Sequence, residues 1–453
     1  MTNESKSSRR QFLGNTAALG ALGAIGVSGI IQSCSTGGKW EAIPLPDLPD
    51  VAPDGEALKL GVIGTGGRGT GAAMNFLNAG PNLSINAIAD LFQDRIDKFR
   101  GELKEKKDVD IADANCFVGF DAYKQLLETD VDVVILSTPP YFRPDHFQAS
   151  VEARKHVFLE KPVAVDPVGA RSVMATSKQA EAAGLCVVTG TQRRHAPDYT
   201  DIYTRVQAGA IGDLVSANAY WNQAKLWHTN SKPAWTEMEY MIRDWVNWIW
   251  LSGDQTVEQH IHNTDVISWF KGKHPVKAIG NGSRHRRLTG DCYDNFSIDY
   301  IYDDRVHMNS MCRQINDCKN YVGEYLRGSE GFTDCKTTIW NPDETVKYEH
   351  PVKLNEDGEE IAKNPFDQEH VDLVTAIRTG KQVVQAEETA KSTLTAIMGR
   401  EAAYTGMEVT WEEMMASDMK LGPKEMKLGP VDINKLTPVP GSQPDINQKA
   451  RTY

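Results

Sequence analysis

Beyond residue 58 the chain alternates short, near-continuous apolar runs with longer amphipathic stretches. The runs are "LKLGVI" (58–63), "LSINAIAD" (83–90), "VDVVILSTPP" (131–140), "HVFLEKPVAV" (156–165) and "LCVVTGTQRRH" (185–195). Runs of this kind predict strands covered on both faces. Between them lie helix-compatible stretches, one through Leu77, one containing His146 and one over Pro167 to Ala183. Strand and helix signals in alternation predict a doubly wound parallel sheet over residues 58–190. The rhythm then changes. Phe296, Ile298, Tyr300 and Tyr302 alternate with polar residues, and Asp303-Asp304 leads into Val306 and Met308, which predicts a hairpin with one buried face. "LVSANAYW" (214–221) and "PVKAIGNG" (275–282) are further strand candidates, and Pro365–Thr379 and Glu387–Thr405 read as helices. Residues 191–410 are therefore expected to form a second domain, of α+β type.

Both ends of the chain break this pattern. Ser8-Arg9-Arg10-Gln11-Phe12-Leu13 matches a twin-arginine export pattern, with Gly14 in place of its frequent final lysine. Ala17 to Ile31 is too short and glycine-rich for a good membrane-spanning helix and reads as a signal core. Ile31, Gln32 and Ser33 then precede Cys34 much as a lipobox precedes an acylated cysteine, although Gln32 is not the usual small residue. The expectation is a signal over 1–34, lipidation at Cys34, and a protein of the bacterial periplasm or cell envelope; a soluble exported protein cut at another bond is the alternative. The proline-rich, acidic stretch within 35–57 predicts an extended tether. "MKLGPKEMKLGPV" repeats Met-Lys-Leu-Gly-Pro seven residues apart and reads as part of a surface tail, 411–453.

Composition narrows the function. A net charge of −12 and a sequence pI near 5.5 exclude a nucleic-acid surface, which needs a basic face. The only membrane contact expected is through the N-terminal anchor. The 7 cysteines include no C-x-x-C pair, so neither a zinc cluster nor a thioredoxin-type site is indicated. Pairing among Cys292, Cys312, Cys318 and Cys335 stays open.

After the first strand comes Gly64-Thr65-Gly66-Gly67-Arg68-Gly69, a glycine turn opening a helix. This arrangement sets backbone N–H groups against a pyrophosphate. The second strand ends at Asp90, 21 residues after Gly69 (90 − 69), where a carboxylate binds the ribose hydroxyls and repels a 2′-phosphate. NAD is expected over NADP, with Arg95 nearby as the opposing feature. An ordinary glycine turn with a capping aspartate is the bland alternative.

With Glu160-Lys161-Pro162 the set of motifs resembles the Gfo/Idh/MocA oxidoreductases. The resemblance runs from about Leu58 to Thr405 and rests on the glycine loop, "STPPYFRPDHF", "EKP", and a helix with an acidic residue four positions before a histidine. It implies a Rossmann domain followed by a domain built on an open, mainly antiparallel sheet that covers the nicotinamide. It further implies that Thr138, Pro139, His146, Glu160 and Lys161 join Gly64, Gly66, Gly67, Arg68, Gly69 and Asp90 at the cofactor, and that the protein is a dimer or tetramer.

The candidate chemistry lies between Asp254 and Phe270. On one helix Glu258, His262 and Asp265 share a face, with Trp269 continuing the line. By resemblance, His262 takes a hydroxyl proton, Lys161 polarises the oxygen, and Glu258, where the family carries Asp, orients His262 or binds another hydroxyl. A metal is not expected, because His260 and His262 point to different sides of a helix. "TQRRHAPDY" brings Arg194, His195 and Tyr199 to the end of a strand, as substrate ligands or as a solvated basic loop. Of the six tryptophans between 221 and 250, most are expected in the core or at subunit contacts, and Trp227 is the leading candidate for stacking on a sugar ring. These features together predict an NAD-dependent oxidoreductase acting on a sugar or glycoside hydroxyl. An exported protein has no free NAD pool, so its cofactor is expected to stay tightly bound through a closed redox cycle. A redox-type glycoside hydrolase is the alternative, with the "EKP" lysine weighing against it. The third reading is a sugar sensor without turnover, which needs neither Lys161 nor His262.

Overall fold

The computed structural model describes residues 40–355, 357–358 and 363–441. The segment expected to be an export signal, with Cys34, and the end of the tail lie outside the described residues. Two sheets organise the rest. The first is built from β1 (Leu58–Ile63), β2 (Leu83–Asp90), β3 (Cys116–Val118), β4 (Val133–Leu136), β5 (His156–Leu159) and β6 (Val187–Thr189). Its six strands are parallel, in the order β3-β2-β1-β4-β5-β6. In β4, Val133 and Ile135 enter one apolar cluster while Val134 and Leu136 enter another. Cover on both faces is why the run is continuously apolar. The chain reverses its winding between β1 and β4, which opens a crevice at their carboxyl ends.

The second sheet comprises β7 (Leu214–Gln223), β8 (Lys277–Ser283), β9 (Asn295–Ile301), β10 (His307–Gln314), β11 (Tyr321–Gly328), β12 (Gly331–Thr333), β13 (Thr338–Trp340), β14 (Val346–Glu349) and β15 (Val409–Thr410). Their order is β14-β13-β12-β11-β7-β10-β9-β8-β15, antiparallel throughout except where β7 pairs with β10. The predicted hairpin is β9 and β10, with Phe296, Ile298, Tyr300 and Met308 turned inward. Helix Ala386–Thr405 lies in the apolar cluster that joins this inner face to the first sheet.

Three sequence expectations change. The domain over 58–190 is not closed by its own residues: helix Pro365–Thr379 returns to it, and Val371, Val374 and Ala376 share a cluster with Leu60, Val62 and Phe76. The short β6 is the edge strand of this sheet yet fully buried, and Val384 bridges to Val187 beside it. From Trp40 onward the tether is docked rather than free. Leu48 and Ala52 are buried, Ala52 donates its N–H to the Ala79 carbonyl at 2.7 Å, and Arg378 binds the carbonyls of Pro53 and Glu56. The tail to residue 441 is also docked, with Val431 buried and the Tyr293 hydroxyl bonded to the Pro438 carbonyl at 2.7 Å. Apolar residues spaced among its prolines, Leu421 and Met426 for example, find a groove that no local pattern announces. Among the described residues Cys292, Cys312, Cys318 and Cys335 are free thiols.

One buried carboxyl makes stability depend on pH. Asp291 accepts the Ile249 N–H at 2.7 Å, and burial, helped by the nearby Asp254 carboxylate, lifts its pKa from an ordinary 3.8 to about 7. The folded protein therefore holds a proton that the unfolded chain releases, so this group's contribution is complete below pH 4 and is lost as pH rises to 7. Asp291→Asn keeps the acceptor oxygen and removes the titration. The variant is expected to melt higher than the natural protein at pH 8 and equally at pH 4, by up to about 4 kcal/mol in unfolding free energy. Thermal melts at the two pH values check this.

Candidate active site

The crevice at the ends of β1 and β4 is a cleft of about 450 Å³ lined by Gly64, Gly66, Gly67, Arg68, Asp90, Thr138, Pro139 and His146, among others. Helix Gly67–Asn78 starts there, and no side chain caps its first turn. A Cβ added at Gly66 or Gly67 would meet no protein atom within 4 Å, so both face the open cleft. Uncapped N–H groups beside clear space fit the pyrophosphate of a dinucleotide. At the end of β2, Asp90 braces the loop: one carboxylate oxygen accepts from the Thr65 N–H at 2.8 Å and hydroxyl at 3.1 Å, the other from the Phe92 N–H at 3.0 Å. His146 bonds Thr138 across 3.2 Å and lies against Phe142 and Tyr123. Burial and the Arg143 charge push its pKa down to about 3, so it is a neutral wall of the cleft.

Arg68 pairs with Glu160 and reaches Glu369 at 3.4 Å. Glu160 is buried, and its other oxygen accepts the Lys161 N–H at 3.2 Å. It thus positions Arg68 and the lysine backbone and does not line the cleft.

Lys161 and Glu258 meet where the two domains join. The lysine Nζ donates to the Glu258 carbonyl at 2.6 Å and to its carboxylate at 3.2 Å. The expected single helix over this motif is broken: Gln255–Glu258 forms one turn, and a new helix runs Ile261–Lys271. The Glu258 carboxylate is consequently held by Lys161 and Gln259, and no bond joins it to His262 among the described residues. The imidazole of His262 instead stacks on Trp221, at 5.6 Å between centroids and 28° between planes. Its ring nitrogens have no protein partner among the described residues, yet they are not sealed from solvent. The surrounding protein, then the charges of Lys161, Arg193 and Arg68, hold its pKa well below 6.5. The result is a neutral imidazole beside an ammonium, a base next to a cation that stabilises an oxyanion.

The other sequence candidates are placed differently. Arg194 makes a two-pronged pair with Asp265, both bonds at 2.8 Å, and Asp265 also accepts from Ser392 at 2.7 Å. His195 is buried against Asp372 at 2.5 Å, and the Tyr199 hydroxyl donates to Glu324 at 3.1 Å. The turn carrying them lies between the two domains, where a desolvated charge must be paired, so these residues tie the domains together rather than wait for substrate. Trp227 faces a cleft whose lining includes neither Lys161 nor His262. It lines the cofactor cleft together with Trp245, Thr229 and Arg243. Sequence reasoning passed over Trp221 because its flat partner, His262, is distant in the chain; its place in the predicted strand 214–221 was the available signal.

The fold and site define a two-domain protein with a dinucleotide cleft in a parallel α/β sheet and a lysine–histidine pair at the domain junction. Residues 58–189 match the model of the oxidoreductase family described as GFO_IDH_MocA, NAD-binding Rossmann fold. The chain matches this family over its first domain. It is 26% identical over 226 residues to the myo-inositol 2-dehydrogenase of Thermotoga maritima, which is 50% of this chain and 58% of that relative. It is likewise 26% identical over 243 residues to a glycosyl hydrolase family 109 protein of Solibacter usitatus, 53% of this chain and 52% of the relative. The chain thus spans somewhat over half the length of these relatives. A scyllo-inositol dehydrogenase of Lactobacillus casei, solved with NAD(H) and scyllo-inositol, superposes with a TM-score of 0.58 at 20% identity, covering 80% of this chain and 100% of that one. That likeness extends to the fold.

Proposed function

We propose that the protein is an NAD-dependent oxidoreductase acting on a secondary ring hydroxyl of a sugar, glycoside or cyclitol, and that it keeps its cofactor through a closed redox cycle. The observation that carries this reading is that Lys161, held by Glu258 at the domain junction, acts through its charge on a His262 that stays neutral. Bound NAD supplies the acceptor for the hydride that leaves the substrate carbon. His262 takes the hydroxyl proton, which its depressed pKa leaves it free to do. The Lys161 ammonium lies against the oxygen as it becomes a carbonyl, and Glu258 fixes the direction of the lysine. Trp221 holds the imidazole plane. Relatives named as inositol dehydrogenases support the polyol class.

The same reading includes export by the twin-arginine route, anchoring through Cys34, and a dimer or tetramer joined by the outer face of the nine-stranded sheet, where Ile279, Met311 and Tyr321 are exposed. The relatives named glycosyl hydrolase family 109 proteins favour a second reading, in which transient oxidation lets an aglycone be eliminated and water add in its place before the hydride returns. Incubation with cyclitols, free sugars and aryl glycosides in deuterium oxide separates the two. A keto product with reduced bound cofactor is the expected result. Released aglycone together with a sugar carrying deuterium beside its anomeric carbon would select the second reading, and neither outcome over a broad panel would overturn both.

A further inference from the structure

The chain between β7 and residue 248 leaves the second domain and crosses to the first. Trp227, Thr229 and Trp245 from this excursion face the cleft at the end where Asp90 and Phe92 stand. Trp227 is 47% exposed, and its ring meets Trp245 edge-on at 6.1 Å. An indole face placed beside the ribose aspartate is a surface on which an adenine base stacks.

The excursion is fastened on both sides. On the first domain, Arg243 forks onto Asp94 at 2.8 and 3.0 Å, with its guanidinium 3.9 Å from the centre of the Phe92 ring. Asp94 lies in the first turn of helix Gln93–Lys107, directly after the segment that Asp90 braces. On the outer side, the docked tail binds helix Glu237–Arg243. Met238 donates to the Gly429 carbonyl at 3.0 Å, and Glu237 accepts from the Val431 N–H at 2.8 Å and the Lys435 ammonium at 2.6 Å. A single apolar cluster takes Met238 and Met241 from the excursion, Val431 from the tail, and Phe92 and Phe120 from the first domain.

We propose that this excursion is the second half of the dinucleotide site: Trp227 and Trp245 close over the adenosine, and the Arg243–Asp94 fork latches them, so that NAD leaves only when the latch opens. The inference rests on the reading that the cleft holds NAD. It gives the closed redox cycle a physical means, since a cofactor roofed by the other domain is regenerated in place.

The test follows exchange of bound NAD for the fluorescent analogue etheno-NAD on the purified full chain. Asp94 is 62% exposed at its side chain, so Asp94→Ala removes the latch without opening the core. Exchange is expected to be slow in the natural protein, about tenfold faster in Asp94→Ala and in Trp227→Ala, and close to natural in Asp94→Glu. Equal exchange rates in the natural protein, Asp94→Ala and Trp227→Ala would overturn the latch while leaving NAD dependence intact. A natural protein that neither carries NAD nor takes up the analogue would instead remove the functional reading beneath it.

Discussion

His262→Asn is expected to slow oxidation of a ring hydroxyl by about 10²–10⁴-fold, the usual contribution of a positioned general base. The affinity for NAD is expected to stay close to natural, because the imidazole stacks on Trp221 and is not among the residues lining the dinucleotide cleft. The natural enzyme supplies the control through its pH profile. A histidine of ordinary pKa loses its base form as pH falls through 6.5. In this site burial and the Lys161, Arg193 and Arg68 charges keep His262 neutral well below that point, so the acidic limb of kcat/KM belongs below pH 6.5. Reduced-cofactor absorbance across pH 5–8 for both proteins reads this out. A natural profile that bends at 6.5 would mean that the surrounding protein and the Lys161, Arg193 and Arg68 charges do not hold the imidazole in the working enzyme. Lys161→Met is expected to be comparably damaging, since it removes the cation and frees the Glu258 carboxylate together.

Two glycines of the cradle should fail in opposite ways. A Cβ at Gly69 would lie 1.9 Å from the Gly64 carbonyl oxygen and 2.6 Å from the Ser137 hydroxyl. Both neighbours are fixed: Gly64 turns with φ +96°, and Ser137 donates to its carbonyl at 2.6 Å. Gly69→Ala must therefore push the helix off the strand, at a cost on the order of 3 kcal/mol or more in stability, and NAD binding goes with it. At Gly67 the same methyl meets no protein atom within 4 Å. Gly67→Ala is expected to melt like the natural protein and still lose NAD affinity, because the methyl enters the space that the pyrophosphate needs. Thermal melts paired with NAD titration distinguish the two. A Gly67→Ala protein with natural affinity would place the pyrophosphate elsewhere.

What was legible in the chain was what depends on near neighbours. The helix Pro365–Thr379 carries its own start and stop, Asn364 capping the Phe366 N–H and Gly380 in the left-handed conformation after its end. The parallel strands, the glycine turn and Asp90 are equally local, because burial on both faces and close backbone approach leave a mark on consecutive residues. Lys161 and His262 stand out through motif order, and in the folded chain the lysine's charge bears on the imidazole.

Contacts between distant residues decided the rest. Arg194 and His195 read as an open basic turn, yet their partners Asp265 and Asp372 lie 71 and 177 residues away. Glu258 and His262 share a face only on an unbroken helix. The preceding Asp254 is held at φ +71° by the Tyr293 N–H and the Tyr404 hydroxyl, and the chain restarts its helix at Ile261. Trp227 looked like a sugar platform and lies over the cofactor cleft instead, because the excursion that carries it is latched to the other domain. By itself the sequence determined the elements and the chemical types they carry, since periodicity and turn preference act within a few residues. Only the tertiary structure decided which charges are matched and which remain for chemistry, because a buried charge is satisfied by whatever partner the packing brings beside it.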